Sequence, residues 1–233
     1  MGGKKMTRRQ LVASAAGLSA GLALPGVLWA AGADQPSPRN AAEARQRLID
    51  GNKRFAAGES IHDHASKEWR KRLTAGQKPL AAILGCSDSR VPTELVFDQG
   101  FGDLFVIRVA GNVIDTDILG SIQYAVRHLH TPLLVVLGHE GCGAVTATLD
   151  VMDGKAKEPK YIEALAGKIQ PGLKGLARLE GDERLRAAVE ANVRWSMRRF
   201  ASQPEARKAL KEKIITLFGA VYELNSGRVR FLS

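Results

Sequence analysis

Three residues with the chemistry of metal ligands stand out in this chain. Cys86 opens Cys86-Ser87-Asp88-Ser89-Arg90, and His139 and Cys142 bracket His139-Glu140-Gly141-Cys142. The two cysteines are the only ones in 233 residues. Two thiolates and one imidazole fill three corners of a zinc tetrahedron. The fourth stays open for water or a carboxylate, which distinguishes a catalytic zinc from a closed structural one. No further Cys or His follows at structural-zinc spacing. His62, His64, His128 and His130 fall in segments that read as helices or their ends, where surface or packing roles are usual. Two other uses of the cysteines stay open: packing as buried free thiols, and a Cys86–Cys142 disulfide, whose geometry a sequence does not show.

Asp88 and Arg90 sit two and four residues past Cys86. A guanidinium beside a carboxylate keeps it ionised and fixes its direction. A carboxylate so placed can accept a hydrogen bond from a metal-bound water, or swing onto the metal and take the fourth corner. An ordinary loop salt bridge is the competing reading. Gly85, Gly138, Gly141 and Gly143 surround the ligands, where backbone must approach a metal or substrate closely. A phosphate loop is excluded, because neither a Walker Lys-Ser/Thr pair nor a G-x-G-x-x-G follows a strand.

Each ligand group follows an apolar run of strand length, Leu80 to Leu84 and Leu133 to Leu137. Parallel strands ending side by side would deliver both groups to one sheet edge, where open α/β folds bind their ligands. The rest of the pattern agrees. Asn40 to Ala57 is periodic and ends at Gly58, which predicts an amphipathic helix. A second helix is expected over 65–74, strands over 80–85 and 104–109, and a helix over 117–130 before the third strand. Helix follows Gly143 to about Met152, residues 153–159 form an exposed loop, and two or three helices fill 160–212. A fourth strand is expected over 214–218, and a terminal hairpin over 221–232 turning at Asn225-Ser226-Gly227. Alternating strands and helices predict an α/β fold, with a central, mainly parallel sheet of four to five strands flanked by helices.

Three ordered segments resemble the β-class carbonic anhydrases: Cys86-Ser87-Asp88-Ser89-Arg90-Val91, the stretch from Gly102 to Asn112, and Gly138-His139-Glu140-Gly141-Cys142-Gly143. Glu190-Ala191-Asn192-Val193 and the tail from Gly219 to Gly227 extend the likeness, which covers roughly residues 39–233. The resemblance implies zinc on Cys86, His139 and Cys142, with Asp88 and Arg90 as the catalytic pair and Asp88 as fourth ligand in a closed state. It implies reversible hydration of carbon dioxide to bicarbonate and a proton. It also implies substrate-binding positions at Gln77, Phe105, Ala110, Tyr124 and Gly143. Part of that pocket wall comes from a second subunit in the family, so a homodimer or tetramer is expected. Some members carry a second bicarbonate site built on a tryptophan three residues before the first cysteine. This chain keeps the site's Gly85, Arg108 and Tyr222 but has Ile83 at the tryptophan position.

Residues 1–33 read as an export signal ahead of one domain, 34–233. Lys4, Lys5, Arg8 and Arg9 form a positive start, and Thr7-Arg8-Arg9-Gln10-Leu11-Val12 resembles a twin-arginine motif. An apolar stretch rich in Ala, Gly and Ser follows, and Ala31-Gly32-Ala33 fits a small-x-small cleavage site. An uncleaved anchor is the weaker reading, since the stretch is barely long enough to span and contains Pro25. A bacterial periplasmic destination follows, with membrane contact only during export. Zinc loading before export would protect both thiols from an oxidising compartment.

Much of the formal charge of +10 belongs to that signal. Without it 30 basic residues face 24 acidic ones, a formal +6, dispersed as solvated helix faces. Nucleic-acid binding would need a basic face with interleaved aromatics, and the pattern excludes it. Two rivals to carbon dioxide hydration remain: a hydrolase acting on carbon disulfide or carbonyl sulfide from the same scaffold, and a non-enzymatic exported zinc-binding protein.

Overall fold

The computed structural model describes residues 38, 40–176 and 178–232. The expected export signal, 1–33, lies outside the described residues.

The first helix, α1 (Ala41–Ala57), begins and ends where its sequence says it should. The Asn40 side chain accepts a hydrogen bond from the Glu43 N–H, and Gly58 closes the helix in the left-handed conformation at φ 73°. Helix α2 (Lys67–Leu73) is capped by Ser66. Strand β1 (Ala81–Gly85) follows, then a short helix α3 (Thr93–Val96) that the pattern did not reveal, then strand β2 (Leu104–Arg108). A 3-10 turn at Ala110–Asn112 leads into α4 (Thr116–Arg127), which Asp115 caps. Strand β3 (Leu133–His139) precedes α5 (Gly143–Met152), α6 (Lys160–Ile169), a 3-10 turn at Gln170–Leu173, α7 (Gly181–Ala201) and α8 (Pro204–Lys211). Strands β4 (Thr216–Tyr222) and β5 (Val229–Phe231) complete the chain.

The five strands form one sheet in the order β2-β1-β3-β4-β5. The first four are parallel and β5 is antiparallel to β4. Every residue of β1 and β3 is buried, because helices cover both faces, as parallel sheets require. Ala82, Leu84, Leu134 and Val136 pack with α4, α5 and α7 on one face. Ala81, Ile83, Leu133, Val135 and Leu137 pack with Ala44 and Leu48 of α1 on the other. Among the described residues no helix is long and apolar enough to cross a membrane.

The C-terminal pattern needs correction. The fourth strand and the first arm of the hairpin are one continuous strand, β4, rather than separate elements over 214–218 and 221–232. Gly219 lies at the middle of that strand. Here it lets α7 press onto the strand: a Cβ at that position would lie 2.7 Å from Met197 Sδ and 2.8 Å from Val193 Cγ1. The return turn through Leu224–Ser226 is anchored by buried Asn52 of α1, which donates to Gly227 O (2.9 Å) and accepts from Val229 N (2.7 Å). The expected 117–130 helix also stops early, at Arg127, and His130 adopts a left-handed φ of 52°.

Candidate metal centre

Adjacent strands β1 and β3 pair Gly85 with Leu137, so their C-terminal ends leave the sheet together. Cys86 is the first residue beyond β1, His139 the last of β3, and Cys142 the residue before α5. The ligand atoms of Cys86, His139 and Cys142 all lie within 4.8 Å of one another, and all three residues are buried. The sulfurs of Cys86 and Cys142 are 4.0 Å apart and both cysteines are free. The disulfide alternative is therefore not what the structure holds. Two thiolates sharing a tetrahedral zinc at ordinary bond lengths would stand about 3.8 Å apart, close to the spacing seen.

The imidazole is oriented for ligation. His139 Nδ1 lies 2.8 Å from the Glu140 carbonyl oxygen, which only an N–H can satisfy. That assigns the proton to Nδ1 and leaves a lone pair on Nε2. His139 Nε2 is fully buried and has no hydrogen-bond partner. A buried unpartnered acceptor is costly, and a cation held with the two sulfurs removes that cost.

The contact between the sulfurs pulls the Cys86 thiol downward and pushes Cys142 upward. The Cys142 S–H donated to Cys86 favours the Cys86 thiolate against the opposing effect of burial. The Gly111 N–H, 3.3 Å from the sulfur, helps. Cys142 is pushed upward by the same hydrogen bond, then by burial and the Cys86 charge.

Asp88 and Arg90 form the pair their spacing suggested. Arg90 Nε meets Asp88 Oδ1 at 2.9 Å and Nη2 meets Oδ2 at 2.7 Å, and the Arg90 backbone N–H adds a third bond to Oδ1 at 3.0 Å. Arg90 thereby holds the Asp88 carboxyl well below the usual carboxylate range. Asp88 Oδ2 lies 3.8 Å from His139 Nε2, on the ligand side of the cluster. With both oxygens engaged by Arg90, the carboxylate is held beside the three ligand atoms rather than among them. Arg90 also donates to the Gly141 carbonyl (3.2 Å), tying the dyad to the loop before Cys142.

Arg108 was singled out in the sequence only for a second bicarbonate site. It donates to the backbone carbonyls of Cys86 and Asp88 and so braces the whole ligand loop. Ile83 is fully buried against the α1 face, and Tyr222 is 5% exposed.

The other expected positions divide into two sets. Ala110, half-buried, opens the 3-10 turn beside Cys86, and Gly143 starts α5 with open space where a side chain would stand. Gln77 lies exposed on the loop before β1. Phe105 is on edge strand β2 and stacks on Tyr124 of α4 with ring centroids 6.1 Å apart, and Tyr124 is 49% exposed. Of the remaining histidines, His64 is a buried packing residue, bonded to Asp103 at 2.8 Å and stacked on Trp69.

Residues 81–229 match the family model described as carbonic anhydrase. The chain is 40% identical over 193 residues to carbonic anhydrase 2 of Mycobacterium tuberculosis, covering 81% of this chain and 91% of that protein. Among solved structures it is similar to the Coccomyxa β-carbonic anhydrase determined with acetazolamide, at 26% identity and a TM-score of 0.63. That match covers 82% of this chain and 84% of the other. The fold is also that of a tetrameric β-carbonic anhydrase from Sordaria macrospora, at 23% identity and a TM-score of 0.67, covering 81% of this chain and 96% of the other.

Proposed function

Since this chain belongs to the β-class carbonic anhydrase family and is a carbonic anhydrase hydrating carbon dioxide, we propose that it works with zinc held by Cys86, His139 and Cys142. The observation that carries this reading is the buried, partnerless His139 Nε2 clustered with two free sulfurs. Zinc bound there supplies a Lewis acid that lowers the pKa of a water toward neutrality.

The chain's own residues do the remaining work. Asp88, kept ionised and fixed in direction by Arg90, accepts a hydrogen bond from the attacking water and turns its free lone pair toward the carbon. Phe105, Tyr124 and Ala110 give carbon dioxide a dry wall, and Gln77 donates to one of its oxygens. Bond formation between the water oxygen and the carbon yields bicarbonate, and the proton passes to solvent. Gln77 and Tyr124 are exposed in the single chain and β2 is a free sheet edge. Those exposures support a homodimer or tetramer in which a second copy closes the pocket.

Stopped-flow measurement of carbon dioxide hydration on zinc-loaded protein tests the reading. Turnover that disappears on chelation and returns with zinc is expected. Zinc-loaded protein that hydrolyses carbonyl sulfide or carbon disulfide but leaves carbon dioxide untouched would reassign the substrate.

Zinc binding should release about one proton near neutral pH, because Cys142 keeps its proton in the empty site while Cys86 is already a thiolate. The sign follows: a raised Cys142 means that metal must displace a proton, so affinity rises with pH and falls as pH drops. Calorimetric titration in buffers of different ionisation enthalpy counts the protons. A count of zero, with affinity independent of pH, would contradict this assignment of protons.

We further propose that residues 1–33 direct twin-arginine export to a bacterial periplasm and are removed. The paired Arg8 and Arg9 and the small-residue site at Ala31-Gly32-Ala33 support this. Arg8→Lys with Arg9→Lys should leave uncleaved precursor in the cytoplasm on fractionation. Undiminished periplasmic delivery would point to the general secretory route.

A further inference from the structure

Two consecutive carbonyls beside the metal centre are held by side chains that neither ligation nor the catalytic pair uses. Gly111 and Asn112 both adopt left-handed φ values, 66° and 43°. Asn192 Nδ2 donates to the Gly111 carbonyl at 2.8 Å, and Ser196 Oγ donates to the Asn112 carbonyl at 2.8 Å. Asn192 and Ser196 stand one turn apart on the same face of α7, and each is 1% exposed. From the other side the Asn112 N–H donates to the Val109 carbonyl at 2.9 Å and closes the turn. The turn packs closely at its glycine: a Cβ at Gly111 would lie 2.7 Å from Ile169 Cδ1 and 3.2 Å from Ala144 Cβ.

The result is a Gly111 N–H directed at the Cys86 sulfur, 3.3 Å away. Buried polar side chains cost free energy unless hydrogen-bonded, and aliphatic residues would pack α7 against the turn without that requirement. Two such residues spent on adjacent carbonyls mark a need for orientation rather than for cohesion alone. An N–H bond to a thiolate withdraws charge from the sulfur, and outer-shell bonds of this kind tune what a ligand donates to a metal.

We infer that Asn192 and Ser196 are positioning residues that lock the 110–112 turn, keep the Gly111 N–H on the Cys86 sulfur, and so set how strongly that sulfur donates to the metal. This rests on the zinc reading above.

Cobalt substituted for zinc gives a direct readout, the sulfur-to-cobalt charge-transfer band. In full-length, signal-free protein, Asn192→Ala should bind about one cobalt or zinc per chain. Its band should move to longer wavelength, because an unbonded sulfur gives up an electron more easily. Its carbon dioxide hydration should fall roughly 10- to 100-fold. Ser196→Ala removes only a hydroxyl and should move the band the same way by less, so it carries the test if Asn192→Ala does not fold. Phe200→Leu, an apolar core change one turn beyond Ser196 on α7, controls for general loosening and should leave the band in place. An unmoved band in both polar variants, or an equal shift in Phe200→Leu, would overturn the inference. Wild-type protein that binds neither metal would instead refute the metal site itself.

Discussion

Cys142→Ala is expected to take zinc from about one per chain to almost none and carbon dioxide hydration to background. The variant leaves one sulfur and one imidazole, and it takes from Cys86 the S–H donor that holds its charge. Losing an outer-shell partner costs 10- to 100-fold in metal affinity, so losing a ligand should exceed about 100-fold. The loss should not come from unfolding of α5. Cys142 is that helix's N-cap but makes no side-chain capping bond, so alanine costs a core sulfur contact and no cap. Metal analysis after dialysis, with circular dichroism as the folding check, decides the matter. Full zinc retention would remove Cys142 from the ligand set.

Asp88→Ala should separate chemistry from binding. It is expected to keep about one zinc per chain while turnover falls about 10²–10³-fold, the range for losing a preorganised hydrogen-bond partner at a reacting centre. Arg90→Ala should act through the same carboxylate. Without its two guanidinium bonds Asp88 loses its direction and its pKa moves back up toward the ordinary carboxylate range. Its turnover should fall by less than that of Asp88→Ala, because an ionised carboxylate remains. Combining the two should cost little more than Asp88→Ala alone, since residues that act as a unit are non-additive. Wild-type rates in both single variants would dismiss the pair from the mechanism. Zinc lost from Asp88→Ala would make Asp88 a resident ligand instead.

Much of the local structure was legible because it depends on near neighbours. Asn40 and Gly58 bound α1 by capping chemistry that acts within one turn. The Asp88–Arg90 pair forms across two residues, and its partners needed no tertiary information. Legibility failed where a distant element sets the outcome. The break expected between 218 and 221 is continuous strand, and Gly219 within β4 lets α7 approach closely. Asn52 reads as one polar residue of an amphipathic helix, yet it anchors a turn 175 residues later.

The same boundary runs through the site. By itself the amino-acid order determined the ligand types, the short apolar strands that carry them, and the carboxylate–guanidinium pair beside the first. These follow from residue chemistry and from spacings of a few residues. Only the tertiary structure decided that β1 and β3 are neighbours, which brings sulfurs 56 residues apart to 4.0 Å. It alone turned His139 Nε2 toward them through the Glu140 carbonyl, and set Arg108 under the ligand loop. It alone brought Asn192 and Ser196 onto a turn more than 80 residues earlier. Strand order and helix approach are set by packing across the whole core, and no local periodicity records which buried polar group will meet which distant carbonyl.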